Sequence, residues 1–101
     1  MTEKLQNEAL ISRLKALADP SRLEILRMLK SPVCCALDLD KGMCACDIES
    51  QLKLSQPTIS HHMRVLRDAG LVEADKIGQW VWYRRNEKAL RETAAAVEGK
   101  V

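Results

Sequence analysis

Leu10, Leu14 and Leu17 recur at i, i+4 and i+7, with Leu5 and Ile11 beside them and Glu3, Lys4, Glu8, Arg13 and Lys15 between. This spacing predicts an amphipathic helix over about residues 3–18. Asp19-Pro20 ends that helix and starts another, because Asp19 can cap free N–H groups and Pro20 fits the first helical position, where no donor is needed. Residues 21–30 then turn Leu23, Ile25, Leu26, Met28 and Leu29 inward and leave Arg22, Glu24, Arg27 and Lys30 to solvent. From 31 to 43 the periodicity breaks, and Pro32, Gly42 and the acidic pair Asp38 and Asp40 mark a loop. A short helix over about 46–53 follows, with Ile48 and Leu52 inward and Asp47 and Glu49 at the positive end of its dipole. Ser55 caps a fourth helix over about 56–69, which tolerates Pro57 in its first turn and stops at Gly70.

After Gly70 the apolar period falls to two. Residues 71–75 and 80–84 flank Lys76, Ile77, Gly78 and Gln79, which reads as a short hairpin, a wing beside the helix pair. Helical spacing returns over about 86–98 with Leu90, Ala94 and Val97, and Ala89, Ala94, Ala95 and Ala96 permit close approach of another helix. The expected fold is mainly α with one small β-hairpin: a winged helix-turn-helix of five helices in a single domain over residues 1–101.

Composition defines the core chemistry. With no Phe and 3% aromatic residues, the core is built from Leu, Ile, Val, Ala and Met, which suits packed helices. A chain of 101 residues forms one stable core rather than two. A helical protein this small, with an apolar flanking helix, completes its burial by pairing, so a homodimer is expected. A net charge of +2 neither announces nor excludes nucleic acid. No apolar run reaches the length of a signal peptide or a membrane span, so the expectation is a cytoplasmic protein with no membrane partner. In that reducing compartment four Cys are metal ligands or redox thiols rather than a disulfide framework.

The helix pair carries the first candidate chemistry. A turn of about three or four residues followed by a Ser-capped helix matches a helix-turn-helix that reads double-stranded DNA. With Ile59, Met63 and Leu66 as the buried stripe, about 100° per residue turns Pro57, His61, Arg64 and Asp68 outward and sets Thr58 and Ser60 on the shoulders. Ser55, Gln56, Thr58, Ser60, His61 and Arg64 are then the candidates for base edges and phosphates. Lys76 at the wing tip and Arg84 after it add candidate phosphate contacts. His62 lies near the edge of the buried stripe, between packing and phosphate contact. Trp80 and Trp82 share one face of their strand, Val81 and Tyr83 the other, and whichever pair faces inward is expected to be core.

The second candidate chemistry is sulfur. Thiolates select arsenic(III), cadmium, lead, zinc or copper(I) over magnesium and calcium. Cys44 and Cys46 stand at the root of the helix pair, with Cys34 and Cys35 shortly upstream. A Cys-x-Cys pair alone lacks the spacing of a zinc knuckle, but the four together form a candidate metal site. The same thiols would also serve a redox switch. A thiol oxidoreductase is the remote reading, since no Cys-x-x-Cys motif and no strand-helix alternation supports it. No enzyme activity and no organic cofactor are expected.

Several ordered motifs carry a resemblance: Leu17-Ala18-Asp19-Pro20-Ser21-Arg22-Leu23-Glu24-Ile25-Leu26, Cys44-Ala45-Cys46-Asp47, Ser55-Gln56-Pro57-Thr58-Ile59-Ser60-His61-His62-Met63, and Leu66-Arg67-Asp68-Ala69-Gly70-Leu71-Val72. Together, over about residues 10–85, they resemble the ArsR/SmtB family of bacterial metal-sensing repressors. The resemblance implies a dimer formed by the first and last helices (about 3–18 and 86–98), a DNA-binding core of about 44–85, and release of an operator when a toxic metal or metalloid binds. The family's arsenic sensors have a Cys-x-Cys-x-x-Cys pattern at this helix start, where this chain has Glu49 in place of the third cysteine. Completion would fall to Cys34 or Cys35. The family's cadmium and lead sensors draw on N-terminal cysteines, and residues 1–33 here contain none. Its zinc site on the last helix needs Asp and His, which residues 86–101 lack. Arsenic(III) or antimony(III), which need three thiolates, are the expected effectors, with cadmium, lead or zinc as alternatives.

Overall fold

Among the described residues, five helices and three strands follow one another as α1 (Thr2–Leu17), α2 (Pro20–Lys30), β1 (Met43–Cys44), α3 (Ala45–Leu52), α4 (Gln56–Asp68), β2 (Val72–Ile77), β3 (Trp80–Arg85) and α5 (Glu87–Lys100). The structure, a computed structural model, describes residues 2–30 and 42–100, with side chains over 7–30 and 42–99. The joints form as the local chemistry dictates. The Asp19 carboxylate accepts from the Arg22 backbone N–H at 3.0 Å, so one residue separates α1 from α2 and caps the second. Lys53, at φ 57°, donates its N–H to the Glu49 carbonyl and turns the chain out of α3. Asn86 holds the other end of the fold: its amide donates to the Gly70 carbonyl at 3.0 Å, and its side-chain oxygen accepts from the Ala89 N–H at 3.1 Å, capping α5.

The sheet has one strand more than the hairpin that the alternation predicts. Its order is β1-β3-β2, antiparallel throughout, with Met43 opposite Tyr83, Cys44 opposite Trp82, and Glu73 opposite Arg84. Two residues are too few for a period to be visible, so β1 was absorbed into the predicted loop. Gly42 permits its approach. A Cβ there would stand 2.0 Å from the Tyr83 carbonyl oxygen, and φ is +86°. The hairpin strands also run further than predicted, to Ile77 and Arg85, which leaves only Gly78 and Gln79 as the turn.

Ile25 of α2, Met43 of β1, Ile48 of α3, and Ile59, Met63 and Leu66 of α4 form the centre of the core, each at most 2% exposed. α1 lies across α4 and α5. Its Ala16 is buried, yet Ile11 and Leu14 of the predicted stripe stay 51% and 40% exposed, as does Leu23 of α2 at 48%. The inward expectation for these three is corrected: among the described residues nothing covers them. Among the described residues no helix is long and apolar enough to cross a membrane.

Candidate nucleic-acid interface and thiol site

α4 is built to be set by its start. The Ser55 hydroxyl accepts from the Thr58 N–H at 3.4 Å and lies 2.8 Å from the Thr58 hydroxyl, so the cap meets one of the free donors of the first turn. Ile59, Met63 and Leu66 anchor the inner face, and Ser55, Gln56, Thr58, Ser60, His61 and Arg64 are all exposed along the other. The structure therefore leaves these six exposed to solvent, from the cap of the helix to Arg64 in its second half. Lys76 is exposed near the end of β2. Arg84 is placed differently: its guanidinium is held by Glu73 at 2.8 Å and by Asp75 across the hairpin, and those carboxylates raise its pKa further. That pairing occupies the charge offered to phosphate and braces the wing instead.

The residue that sequence reasoning missed is Arg22. Expected in solvent, it donates from Nε to the Ala16 carbonyl at 2.7 Å and from Nη2 to the Lys15 carbonyl, closing the C-terminal end of α1. Its Nη1 lies 3.1 Å from His62 Nδ1, and Asp19 Oδ2 stands 3.9 Å from the same nitrogen. An arginine has no acceptor, so His62 Nδ1 accepts and the imidazole is neutral. Burial lowers the His62 pKa; the neighbouring Asp19 opposes this, while Arg22 and His61 reinforce it. His62 thus locks α4 onto the α1–α2 joint, and His61 alone of the pair faces outward. The only signal was the position of His62 at the edge of the apolar stripe.

Cys44 is buried in β1 and also occupies the cap position of α3, at φ −70° and ψ 144°, without its side chain capping the helix. Cys46, the second residue of α3, is exposed, and its S–H donates to the Cys44 sulfur at 3.0 Å. That hydrogen bond, with burial and the charges of Cys44 and Asp47 adding to it, pushes the Cys46 thiol up to about 11. A ligand must therefore displace a proton to take this sulfur. Two adjacent soft donors fit a thiophilic ion, but among the described residues no group of three or more His, Cys, Asp or Glu could hold one. Cys34 and Cys35, the expected completing ligands, lie outside the described residues.

Trp80 and Trp82 line a pocket of about 190 Å³ with the same thiols, and Trp80 and both thiols also line one of about 300 Å³. The core packing expected of the inward-facing pair on β3 is met in part, through Tyr83. None of Trp80, Val81, Trp82 and Tyr83 is fully buried, Tyr83 packs partly on the core, and Trp80 is 49% exposed. A three-stranded sheet this short covers one face only in part.

Residues 19–74 match the family described as bacterial regulatory protein, arsR family. An HTH-type transcriptional regulator of Methanocaldococcus jannaschii is 39% identical over 84 residues, covering 83% of this chain and 85% of that protein. The arsenical resistance operon repressor of Staphylococcus aureus is 46% identical over 77 residues, covering 76% of this chain and 65% of the repressor. Among solved structures, an ArsR-like transcriptional regulator from Rhodococcus sp. RHA1 matches with a TM-score of 0.73 at 31% identity, over 92% of this chain and 79% of that one.

Proposed function

This chain belongs to the ArsR family of bacterial regulatory proteins, and on that footing we propose that it is a homodimeric, cytoplasmic repressor that releases its operator when arsenic(III) or antimony(III) binds Cys44 and Cys46. It is a DNA-binding transcriptional regulator and not an enzyme. One observation carries the effector reading: two sulfurs stand 3.0 Å apart, one on Cys44, which ends a strand of the wing sheet and caps α3, the other on Cys46 in the first turn of α3. A ligand drawn onto that segment strains both elements that flank the DNA-reading helix. The third thiolate that arsenic(III) prefers is assigned to Cys34 or Cys35, while cadmium, lead and zinc are competing effectors. Ser55, Gln56, Thr58, Ser60, His61, Arg64 and Lys76 are assigned to the operator, Arg84 to the wing brace. The exposed Ile11 and Leu14 of α1 support pairing through α1 and α5.

The test is fluorescence anisotropy of a palindromic promoter duplex. Arsenite should weaken binding about 5- to 150-fold, the range of typical allosteric coupling. Cys44→Ser and Cys46→Ser should each bind DNA normally and lose the response, and Cys34→Ser or Cys35→Ser should identify the third ligand. Binding unchanged by arsenite, antimonite, cadmium, lead and zinc sinks the reading.

The 3.0 Å sulfur contact also favours a second reading, a redox switch in which peroxide closes Cys44 and Cys46 into a disulfide. A thiol raised to about 11 is almost wholly protonated at neutral pH, and it is the thiolate that attacks peroxide, so this route ranks second.

A further inference from the structure

We propose that His62 is a positioning residue for the operator-reading helix and that it makes operator binding sensitive to protons. Neutral, it accepts from Arg22 and holds α4 against the joint of α1 and α2; protonated, it must give Arg22 up. The inference rests on the reading of α4 as the helix that meets DNA and is independent of the effector.

The first ground is that the contact has one fixed side. The Arg22 guanidinium donates from Nε to the Ala16 carbonyl at 2.7 Å and from Nη2 to the Lys15 carbonyl at 3.4 Å, which ties it to the end of α1. Its Nη1 reaches across 40 positions to His62 Nδ1 at 3.1 Å. A ring nitrogen that accepts this bond carries no proton, because both nitrogens of an imidazolium are donors. Protonation therefore sets donor against donor and cation against cation, with Arg22 held in place. α4 is the side that yields.

The second ground is an alternative partner already in position. Asp19 Oδ2 stands 3.9 Å from the same Nδ1, and it is also the acceptor that caps α2 through the Arg22 N–H at 3.0 Å. A proton thus exchanges one contact for another, drawn from the cap of the neighbouring helix. The His62 side chain is 12% exposed, so this exchange takes place inside the joint and not in solvent. The charges that act on it are Asp19 of the joint, Arg22 of α2 and His61 of its own helix; burial, with Arg22 and His61, outweighs Asp19 and keeps the imidazole neutral. Glu8, Lys15 and Asp68 line, with Arg22, a separate groove of about 450 Å³ that His62 does not border. The lever on DNA is short: Ser60, His61 and Arg64, three of the residues assigned to the operator, lie within two positions of His62 on α4.

The experiment measures metal-free binding of the full chain to the palindromic promoter duplex by anisotropy from about pH 7.5 to about pH 5.5, with circular dichroism read at each pH. Wild-type affinity should fall with acid below the ordinary histidine value of about 6.5, by as much as about tenfold per pH unit, while the chain stays folded. His62→Gln keeps a neutral acceptor for Arg22, so it should bind at neutral pH and lose the fall, whereas His62→Ala should bind about 3- to 10-fold more weakly throughout, the worth of one hydrogen bond. Arg22→Gln should weaken binding at neutral pH and flatten the profile, since no cation then opposes the proton. Asp19→Asn, which can still cap α2, should move the fall to lower pH. His61→Gln should keep the fall, because a proton on the outward histidine attracts phosphate and acts in the opposite sense. A His62→Gln chain whose affinity falls as the wild type's does overturns the inference, and so does a wild type that holds its affinity or loses its helical signal over the same range. In each of these cases DNA reading by α4 stands; if the duplex is not bound at neutral pH either, both readings fall.

Discussion

Cys44 lies directly opposite Trp82 in the antiparallel pairing of β1 with β3, one residue before α3 begins. The buried thiol is therefore bonded through its backbone into the wing and leads straight into the helix-turn-helix. Its backbone thus adjoins two elements at once, α3, which packs on α4, and β3 of the wing.

Gly42 makes that pairing possible, so Gly42→Ala should separate β1 from β3. A left-handed alanine costs about 1–2 kcal/mol, and the clash with the Tyr83 carbonyl adds to it. Urea unfolding should show a loss of at least about 2 kcal/mol, and arsenite should release DNA less effectively than in the wild type. Unchanged stability would show that β1 contributes nothing.

His62 should make stability depend on pH. Its pKa is lowered in the folded chain, so the unfolded chain binds the proton more readily, and stability rises with pH across the window just below the ordinary value of about 6.5. The contribution is complete above that value and is lost as pH falls. Asp19, whose carboxyl is lowered chiefly by the Arg22 backbone N–H, acts in a separate and more acidic window, below about 3.8. Urea midpoints between about pH 7 and pH 5 should fall in the wild type and flatten in His62→Gln.

Ser55 should be replaceable for stability but not for DNA binding. Ser55→Ala removes the cap and costs about 1 kcal/mol, whereas Ser55→Asp keeps a capping oxygen and sets a negative charge beside phosphate. Thermal melts should therefore rank Asp above Ala, and operator affinity should be poor in both. An aspartate variant that binds DNA normally would remove Ser55 from the interface.

Arg64 and Arg84 should separate in salt dependence. Arg64→Ala is expected to lower the slope of log K against log salt by about one, the loss of one phosphate contact. Arg84→Ala should leave the slope unchanged, because Glu73 and Asp75 already hold that charge, and should cost the hairpin no more than about 1 kcal/mol. Equal slopes for the two variants would return Arg84 to the interface.

The sequence by itself determined every helix, the wing and the face of α4 that meets solvent. Each of these rests on neighbours within a turn or two: Ser55 capping Thr58, Ile59, Met63 and Leu66 recurring at helical spacing, Asp19 capping Arg22. The two adjacent thiols were legible for the same reason, since Cys44 and Cys46 are separated by one residue. Tertiary structure alone decided the rest. β1 is a strand because β3 pairs with it, Arg22 meets His62 across 40 positions, and Arg84 is neutralised by carboxylates on the opposite strand. Trp80 and Trp82 stand beside the thiols because the same pairing carries β3 there. Periodicity and capping are local and can be read along the chain; strand pairing and arginine contacts depend on which distant backbone the finished core brings alongside.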